Sequence, residues 1–476
     1  MMFIIRAGLQ ILADHPRLYL NSGSTPGTAW FRMRDPILAD RLDPEDTARI
    51  WTAKNDSVTL PRWLGIPGFR HSIGLARWWH FSFDLLWLVN GVVFYVLLFA
   101  SGQWRRIVPQ SWEVFPNALS TAVQYASLNF PMNEGFTNYN GLQILAYFFT
   151  VFIAAPLAFF TGLLQAPAIA ARFGFGRGPL NRQVARSAHF IILLWMIFFI
   201  AVHTVMVFAT GLVGNLNHIV LGTNTDSYWA VAIYVLAMAI IAALWLMASP
   251  VTIRYPRVIQ KVGRSLVGSF KGLLECLHPK ATYSETDISP FFWPNGHPPT
   301  SEQYRLLQQA NWAGYSLSIE GLVENPVSIS YEDLLALPRH EQITQHYCIQ
   351  GWSGIAKWGG VRMSDVMDIV RPLPSARWVV FYSLAEGAEP DTGRYYDCHK
   401  IDHMRHPLAL LAYEMNGQPL NETHGAPLRL RNEVELGFKQ VKWIEGIEFV
   451  ETFEHIGGGQ GGHHEDHDFF GYRMPI

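Results

Sequence analysis

The sequence predicts a multidomain membrane protein in which a four-transmembrane-helix bundle precedes a mixed α+β domain. Three observations support this prediction. Four apolar runs are each about 20 residues long, the length that an α-helix needs to cross the hydrocarbon core of a bilayer. After residue 283 the pattern changes to short strand-like runs separated by turn residues. Half of the 476 residues are hydrophobic and only 16% are charged.

Length, charge and cysteine usage narrow the class of protein. A chain of 476 residues predicts two or three domains. The net charge of -2 gives no reason to expect a nucleic-acid partner. Cys276, Cys348 and Cys398 are too few and too far apart for a disulfide framework, so a reducing compartment is expected. Residues 1–13 carry neither a secretory nor a twin-arginine signal.

Residues 1–70 form a predicted cytoplasmic N-terminal segment that is polar, rich in proline and expected to be irregular. The membrane domain is predicted over 71–250. Its apolar runs are 81–101, 142–166, 188–210 and 228–248. A buried helix of a soluble core is the alternative for any single run, but four runs in succession favour membrane spans. The long loop after the first run predicts a short interfacial helix over 118–128.

Arginine and lysine predict the orientation of these helices. They cluster before the first run, between the second and third runs, and after the fourth. The opposite side carries only Arg105 and Arg106. Because cytoplasmic loops are enriched in these residues, both termini and the α+β domain are expected in the cytoplasm. The chain itself is expected in the inner membrane, with the lipid bilayer as its first partner.

Histidines inside the apolar runs are candidate cofactor ligands, because ionisable groups in membrane helices are usually functional. His189 and His203 share nearly one face of the third run and stand about 21 Å apart along its axis. His80 precedes the first run at the depth of His189. Two histidines from neighbouring helices can ligate a haem iron from both faces. The alternative for each is a histidine that is hydrogen-bonded inside the bundle.

Residues 70–250 resemble the haem-bearing helices of bacterial b-type cytochromes that serve hydrogenases and formate dehydrogenases. The residues that carry the resemblance are Arg-Trp-Trp-His-Phe at 77–81 and Arg-Ser-Ala-His at 186–189, with Trp195 and His203 downstream. The resemblance implies haem b, one or two per chain, and electron exchange with quinone or quinol.

Within this resemblance, His80 and His189 are the expected ligands of one haem iron. His203 would ligate a second haem, but its partner is not obvious, because the second and fourth runs contain no histidine. His71 and His218 are the remaining candidates. His71 lies too far to the inside, and His218 falls in the outer loop and would have to fold back.

A connector is predicted over 251–282. Its amphipathic stretch, 257–277, alternates apolar residues with Lys261, Arg264 and Lys271, which is typical of a helix on a membrane surface. Such a helix would bring the α+β domain close to the inner haem.

The α+β domain is predicted over 283–455, with strands dominating. Strand-like runs cover 316–323, 342–348, 378–384, 408–415, 428–430 and 444–451, and a helix is expected over 364–370. Cys348 ends the second strand-like run and is followed by glycine and tryptophan. A thiol so placed suits a nucleophile or a soft metal ligand, and a buried structural cysteine is the alternative. The glycine- and histidine-rich tail, 456–476, is expected to be solvated rather than metal-binding.

This domain resembles the sulfite oxidase family of molybdenum enzymes, and most closely the branch that contains the bacterial methionine sulfoxide reductase molybdoenzyme. Four motifs carry the resemblance: Cys-Ile-Gln-Gly-Trp-Ser at 348–353, Met-Arg-His-Pro-Leu at 404–408, His-Gly-Ala-Pro-Leu-Arg at 424–429 and Gly-Phe-Lys-Gln-Val-Lys at 437–442. It implies a molybdenum–molybdopterin cofactor, with Cys348 as the thiolate on the metal and the catalytic residue.

The resemblance also implies which residues hold the pterin. They are Ser383, His424, Arg429, Gln440, Val441 and Lys442. Arg429 and Lys442 suit the pterin phosphate, arginine as a bidentate fork. Asn295 and His297, in the loop 292–297, are further candidates that would close over the cofactor.

Two departures from the family bear on substrate and location. Sulfite-oxidising members follow the cysteine with Gly-Asn-Arg, whereas no arginine follows Cys348 before Arg362, which weighs against sulfite. The reductase branch is exported through a twin-arginine signal, whereas this sequence predicts a cytoplasmic domain.

The predicted function is that of a membrane-bound molybdenum oxidoreductase. It would exchange electrons with the quinone pool through haem b and transfer an oxygen atom, in the direction of S- or N-oxide reduction. Oxidation of a small, sulfite-like substrate into the quinone pool is one alternative. A haem membrane anchor with a non-catalytic docking domain is another. The expected partners are the bilayer, quinone and a small oxo substrate, and a homo-oligomer is left open.

Overall fold

The computed structural model describes residues 1–33, 52–69, 72–130, 138–173, 180–274, 283–386 and 394–462. Within these residues four helices are long and apolar enough to cross a membrane, which confirms the predicted bundle. The α-helices are α1 (Met2–Asp14), α2 (Ala53–Asp56), α3 (Ile73–Ala100), α4 (Val114–Ala126), α5 (Gly141–Phe148), α6 (Ala155–Gln165), α7 (Pro167–Phe173), α8 (Arg182–Ala209), α9 (Leu212–Leu221), α10 (Tyr228–Arg254), α11 (Pro256–Leu274), α12 (Glu302–Gln309), α13 (Tyr331–Ala336), α14 (Met363–Val370) and α15 (Ile401–Met404).

The strands in the described residues form one short pair and two larger sheets. They are β1 (Arg17–Leu18), β2 (Phe31–Arg32), β3 (Ser316–Gly321), β4 (Val327–Ser330), β5 (His340–Tyr347), β6 (Ser353–Arg362), β7 (Trp378–Ser383), β8 (Tyr396–Lys400), β9 (Ala409–Met415), β10 (Gln418–Pro419), β11 (Arg429–Asn432) and β12 (Ile444–Val450).

Two spanning helices begin well before their apolar runs. Helix α3 starts at Ile73 and α8 at Arg182. Asn181 caps α8, because its side-chain oxygen accepts from the backbone N–H groups of Gln183 and Val184 at 2.9 and 3.1 Å. These additional turns extend both helices towards the α+β domain.

The second span consists of α5 and α6, joined by a π-helical segment over Phe149–Ala154. Pro156 lies at the start of α6, and a proline ring removes a backbone donor and crowds the preceding turn. A π-helical segment accommodates such a disruption without ending the helix. The segment is anchored by Trp195, whose Nε1–H donates to Thr150 Oγ1 at 3.1 Å.

The expectation that residues 1–70 are irregular is wrong for Met2–Asp14, which form α1. Helix α1 is too short to span a bilayer, and it packs along α3. Arg6 is fully buried and donates to Gly65 O at 2.9 Å and to Ser249 Oγ at 2.8 Å. Packing against neighbouring helices therefore stabilises a segment whose own helical propensity is marginal at this length.

The predicted connector helix is α11, and it packs closely on α3. A Cβ atom on Gly263 would lie 2.7 Å from Trp78 Cε3, so only glycine permits this approach. Val258, Val262, Leu266 and Phe270 remain exposed on another face. Contact of this apolar face with lipid remains a prediction, and residues 275–277 of the predicted stretch lie outside the described residues.

The α+β domain is built on two five-stranded sheets. In the first, β10, β9, β6 and β5 pair in that order, β11 also pairs with β9, and every pairing is antiparallel. The second has the order β4-β3-β12-β7-β8, with β12 parallel to β3 and the other pairs antiparallel. Apolar side chains from both sheets and α14 form one core.

Each predicted strand and the predicted helix over 364–370 occurs, but β6, the longest strand, was missed. Its glycines resemble a loop signal, yet they permit close strand packing. A Cβ atom on Gly360 would overlap the backbone of Leu411 in the paired strand β9, at a point where the register shifts. Strands β4, β8 and β10 were also missed.

Candidate active site

Cys348 lies at the tip of the hairpin formed by β5 and β6, in the five-residue loop 348–352, which we call the cysteine loop. The Cys348 N–H donates to Trp352 O, and the Gly351 N–H donates to Cys348 O, both at 3.1 Å. Gly351 has a φ of 104°, which other residues rarely adopt. The loop is therefore a tight turn that presents one thiol.

The Cys348 side chain is buried, with 1% of its surface exposed, in a cluster with Phe292, Trp352 and Trp358. Burial raises the pKa of the Cys348 thiol to about 12, and Arg182 and Arg77 oppose this effect only in part. The unligated thiol is thus protonated at neutral pH. A bound metal ion would deprotonate it, since a coordinating thiol loses its proton outright.

Two membrane helices hold the cysteine loop. Arg182 of α8 donates to Trp352 O at 3.3 Å and to Cys348 O at 3.4 Å. Gln183 donates to Gly351 O at 3.0 Å, and Arg77 of α3 donates to Ile349 O. Sequence reasoning used both arginines as orientation signals, and Arg77 also as part of the cytochrome b motif, but it missed these contacts.

The N-terminal segment packs on the same loop from another direction. Gln350 Nε2–H donates to Asp14 O at 3.2 Å, and the Ser353 N–H donates to Ser24 Oγ at 3.1 Å. Trp293 Nε1–H donates to Ser24 O at 2.8 Å. The cysteine loop is therefore enclosed by the membrane helices, the N-terminal segment and its own domain.

The structure brings together Arg429 and Lys442, the two predicted phosphate-binding residues, and His424 of the predicted pterin-binding set. Arg429 and Lys442 form an isolated antiparallel β-bridge. Arg429 donates to His424 O at 2.8 Å, and Lys442 Nζ donates to Thr423 O at 2.8 Å. His424 Nε2 lies 3.2 Å from Phe292 O, which links this group to the aromatic cluster around Cys348.

Electrostatics favour an anion at this group of basic residues. Burial, Lys442 and Arg429 together lower the pKa of His424 to about 3. Burial lowers the pKa of Lys442, and the charge of Arg429 adds to this effect. Burial also lowers the pKa of Arg429, where the charge of Arg431 adds to it. Burial and neighbouring positive charges thus disfavour protonation of all three basic side chains. A phosphate placed between them would reverse this repulsion.

Two buried polar atoms at the aromatic cluster around Cys348 have no hydrogen-bond partner among the described residues: Arg429 Nε and Trp358 Nε1. Such atoms are costly when left unpaired. Two unpaired donors beside basic groups in one buried place fit the phosphate and polar ring edge of a pterin. On this observation the residues present fit molybdopterin.

His346 is a site residue to which sequence reasoning gave no role. Its ring stacks on Trp352 at 5.0 Å between centroids, and its Nδ1 lies 3.1 Å from Arg431 Nη1. A methyl group on Gly437 would overlap this ring. Burial lowers the pKa of His346 well below its usual value, aided by Arg431, so the ring is neutral.

The other predicted pterin residues border this site mainly through backbone contacts. Ser383 Oγ–H donates to Lys442 O at 2.7 Å. Gln440 Nε2–H donates to Asn432 O at 3.3 Å, and Val441 O accepts from the Leu430 N–H at 2.8 Å. Their assignment to the pterin remains a prediction.

In the loop 292–297, Phe292 contacts the aromatic cluster. Its ring lies 5.3 to 5.9 Å between centroids from the rings of His346, Trp352, Trp358 and His424. Asn295 accepts from the Gly296 N–H at 3.1 Å, and His297 is exposed. Phe292 therefore links this loop to the aromatic cluster, and the assignment of Asn295 and His297 to the cofactor remains a prediction.

His80 and His189 face each other across α3 and α8, with ring centroids 6.3 Å apart and planes at 74°. His189 Nδ1 lies 2.9 Å from Thr161 Oγ1, and His80 Nδ1 lies 3.1 Å from Ile4 O. Two metal–nitrogen bonds of about 2 Å, one on each side of an iron, place ligand rings roughly 6 Å apart. Anchoring at Nδ1 leaves Nε2 for the metal. The pair fits haem, although His80 Nε2 now lies 3.4 Å from Asp84 Oδ2.

The structure does not bring His203 to a second histidine among the described residues. Its ring stacks on Phe199 at 5.5 Å and 6°, and Tyr147 lies 6.0 Å away between centroids. His218 was expected in a loop, but it lies in α9. His71 lies outside the described residues, as do the histidines of the tail after residue 462.

Two family models match separate parts of the chain. The model described as prokaryotic cytochrome b561 matches residues 50–222. The model described as oxidoreductase molybdopterin binding domain matches residues 304–455. These segments overlap the predicted membrane domain and the predicted α+β domain. The cofactors that the two domains imply are haem b and molybdenum–molybdopterin, as predicted.

Curated relatives match about a third of the chain. The protein-methionine-sulfoxide reductase catalytic subunit MsrP of Xanthomonas campestris pv. campestris is 35% identical over 32% of this chain and 48% of its own length. MsrP of Campylobacter jejuni is 32% identical over 30% and 52%. The putative protein-methionine-sulfoxide reductase subunit YedZ1 of Azospira oryzae is 29% identical over 34% and 57%. The chain spans about half the length of these relatives.

Replacement of Arg429 tests the phosphate-binding group. We expect Arg429→Ala to lower the pterin content of the purified protein, because a charge-assisted bond contributes about 1.5–3 kcal/mol, roughly ten- to a hundredfold in affinity. The fold should persist, since the change removes a buried repulsive charge. The measurement is pterin and molybdenum per chain, with Arg339→Ala, in an exposed ion pair with Glu414, as the control. Wild-type pterin content in Arg429→Ala would refute the assignment.

Proposed function

We propose that this chain, which joins a cytochrome b561 domain to an oxidoreductase molybdopterin-binding domain, reduces a small S- or N-oxide with electrons drawn from quinol. The observation that carries the proposal is the seating of the cysteine loop on α3 and α8, the helices that bear His80 and His189. One chain thus contains a candidate quinol-side centre and a candidate substrate-side centre on elements that contact each other.

The names of two relatives support reduction as the direction of the reaction. Both are named protein-methionine-sulfoxide reductase catalytic subunits, and methionine sulfoxide is an S-oxide. Reduction of one S-oxide consumes two electrons and two protons and gives a sulfide and water. Oxidation of one quinol to quinone supplies the same two electrons and two protons.

Each candidate site residue would have a role in cofactor binding that suits its chemistry. Cys348 supplies a soft thiolate to the metal. Arg429, Lys442 and His424 bind the phosphate of the pterin. Molybdenum held by molybdopterin supplies oxygen-atom transfer coupled to two electrons, whereas haem passes electrons singly. His80 and His189 hold that haem between α3 and α8.

The side of the membrane also belongs to the proposal. The ends of the four spans near 73, 165, 182 and 254 share one side, and the α+β domain contacts that side through Arg77 and Arg182. Lysine and arginine are concentrated there, which supports a cytoplasmic position for the domain and both termini.

Substitution of Cys348 tests the proposed reaction. We expect Cys348→Ser to keep the fold, the haem and much of the pterin, because serine is nearly isosteric. It should lose oxidation of pre-reduced haem by dimethyl sulfoxide or trimethylamine N-oxide, because a hydroxyl is a harder and weaker donor. Stopped-flow haem spectra provide the measurement. Cys398→Ser, at the other described buried cysteine, is the control and should behave like wild type.

Two results would contradict the proposed function. One is wild-type protein that contains no molybdenum or pterin when produced in a host able to make them, which would favour a non-catalytic docking domain. The other is oxide-driven haem oxidation that survives in Cys348→Ser.

Replacement of His189 tests the haem assignment. We expect His189→Leu to abolish the reduced-minus-oxidised spectrum of one haem b, since the iron loses a ligand that no nearby histidine replaces among the described residues. His203→Leu should alter the spectrum only if a second haem is bound, so the pair of variants counts haems. An unchanged spectrum in His189→Leu contradicts the assignment.

Labelling of introduced cysteines tests the orientation. In a Cys276→Ser background, Ser120→Cys of α4 should react with a membrane-impermeant thiol reagent in whole cells, and Ser375→Cys of the α+β domain should not. Both positions are exposed, whereas Cys348 and Cys398 are buried, so the native background is low. The opposite labelling pattern would place the α+β domain outside the cytoplasm.

A further inference from the structure

We propose that Arg77 and Arg182 are positioning residues for electron transfer, which hold the cysteine loop at a fixed separation from the haem helices. The inference rests on the proposed function, because it assumes that electrons pass between a haem on His80 and His189 and a metal on Cys348. It goes beyond that function by naming side chains that touch neither cofactor.

The contacts are concentrated on the loop that carries the metal thiolate. The loop has five backbone carbonyls, and those of Cys348, Ile349, Gly351 and Trp352 each accept from α3 or α8 side chains. The donors are Arg77, Arg182 and Gln183. Four carbonyls held by two rigid helices leave the loop little freedom to shift away from the membrane domain.

The spacing along each helix connects these donors to the histidines. Arg77 precedes His80 by three residues, or about 4.5 Å of helix rise, and Arg182 precedes His189 by seven, or about 10.5 Å. Separations of three and seven residues place both members of each pair on one helix face. A displacement of either helix would therefore move the haem ligand and the cysteine loop together.

Arginine suits this task better than lysine. Arg182 uses Nη1 for Trp352 O, Nη2 for Cys348 O, and Nε for Gln165 O at 3.1 Å. Its planar fork thus joins two loop carbonyls to the end of the second span. A lysine at this position would retain the charge but could not reproduce the same three directions.

Gly351 shows how closely the surfaces meet. A Cβ atom there would lie 3.1 Å from Nε of Arg186, the next basic residue of α8 on this face. Arg186 itself donates to Arg17 O and His15 O at 2.7 Å, so it fastens the N-terminal segment rather than the loop. Arg77 and Arg182 are accordingly the arginines to test.

The experiment compares a haem-dependent and a haem-independent route to the same metal. Arg77→Gln, Arg182→Gln and the double variant are purified as full-length protein and assayed for haem, molybdenum and pterin. The first measurement is the stopped-flow rate at which dimethyl sulfoxide oxidises pre-reduced haem. The second is steady-state dimethyl sulfoxide reduction with reduced methyl viologen as a soluble donor that bypasses the haem. Arg254→Gln, an exposed arginine at the end of α10, is the matched control.

We expect each single variant to slow haem oxidation severalfold and the double variant further, because electron transfer slows as the separation between the two centres grows. Viologen-driven turnover should stay within about twofold of wild type. Arg182→Lys should recover part of the lost rate, because it keeps the charge and can bond one carbonyl.

Haem oxidation at the wild-type rate in a double variant that carries all its cofactors would overturn the inference. An equal fall of the haem-driven and viologen-driven rates would also overturn it. So would a wild-type rate of haem oxidation in Arg182→Lys together with glutamine variants that bind no cofactor, since the arginines would then be needed for cofactor binding. Failure of the proposed function has a different signature. In that case wild-type protein itself shows no haem oxidation by any S- or N-oxide, before any arginine is changed.

Discussion

The arrangement of the molecule depends on how the backbone of the cysteine loop is satisfied. In this buried five-residue loop the carbonyls of Cys348 and Trp352 accept from backbone N–H groups of the loop itself, whereas those of Ile349 and Gly351 accept from side chains of α3 and α8. A buried carbonyl left unpaired costs about 1–3 kcal/mol. Arg77 of α3 and Arg182 and Gln183 of α8 donate hydrogen bonds to carbonyls of this loop. The position of the α+β domain on the membrane bundle follows from these bonds.

The same arginines have two physical roles, and this affects how the sequence is interpreted. Arg77 and Arg182 contribute to the positive charge from which orientation was predicted, yet their guanidinium groups bind the cysteine loop. Exposed residues such as Arg254 and Arg257 have no such role in the loop and give the more independent orientation signal. Arginines that lie beside a docked domain can therefore reflect packing of that domain as well as the orientation of the helices in the membrane.

Local patterns predicted much of the fold, whereas long-range contacts could not be predicted. Apolar runs gave the four spans because bilayer thickness fixes their length. Cys348 was placed at a strand end because β5 has a clear strand pattern. Strand β6 was missed because Gly360 serves a close approach to β9 that only tertiary structure reveals. Phe292 and His346 gained their positions through contacts between segments distant in sequence, which no local pattern records.

The electrostatics of the site suggest how the two domains come to hold their cofactors. The Cys348 thiol has a raised pKa, because burial disfavours its anion, while His424, Arg429 and Lys442 have lowered pKa values, because burial and mutual repulsion disfavour their cations. A metal cation at the thiol and an anionic phosphate at the basic group would relieve both penalties at once. Binding free energy of this kind is also folding free energy, so a loaded α+β domain should be more stable than an empty one. The cysteine loop would then be held from one side by its ligand and from the other by the membrane helices.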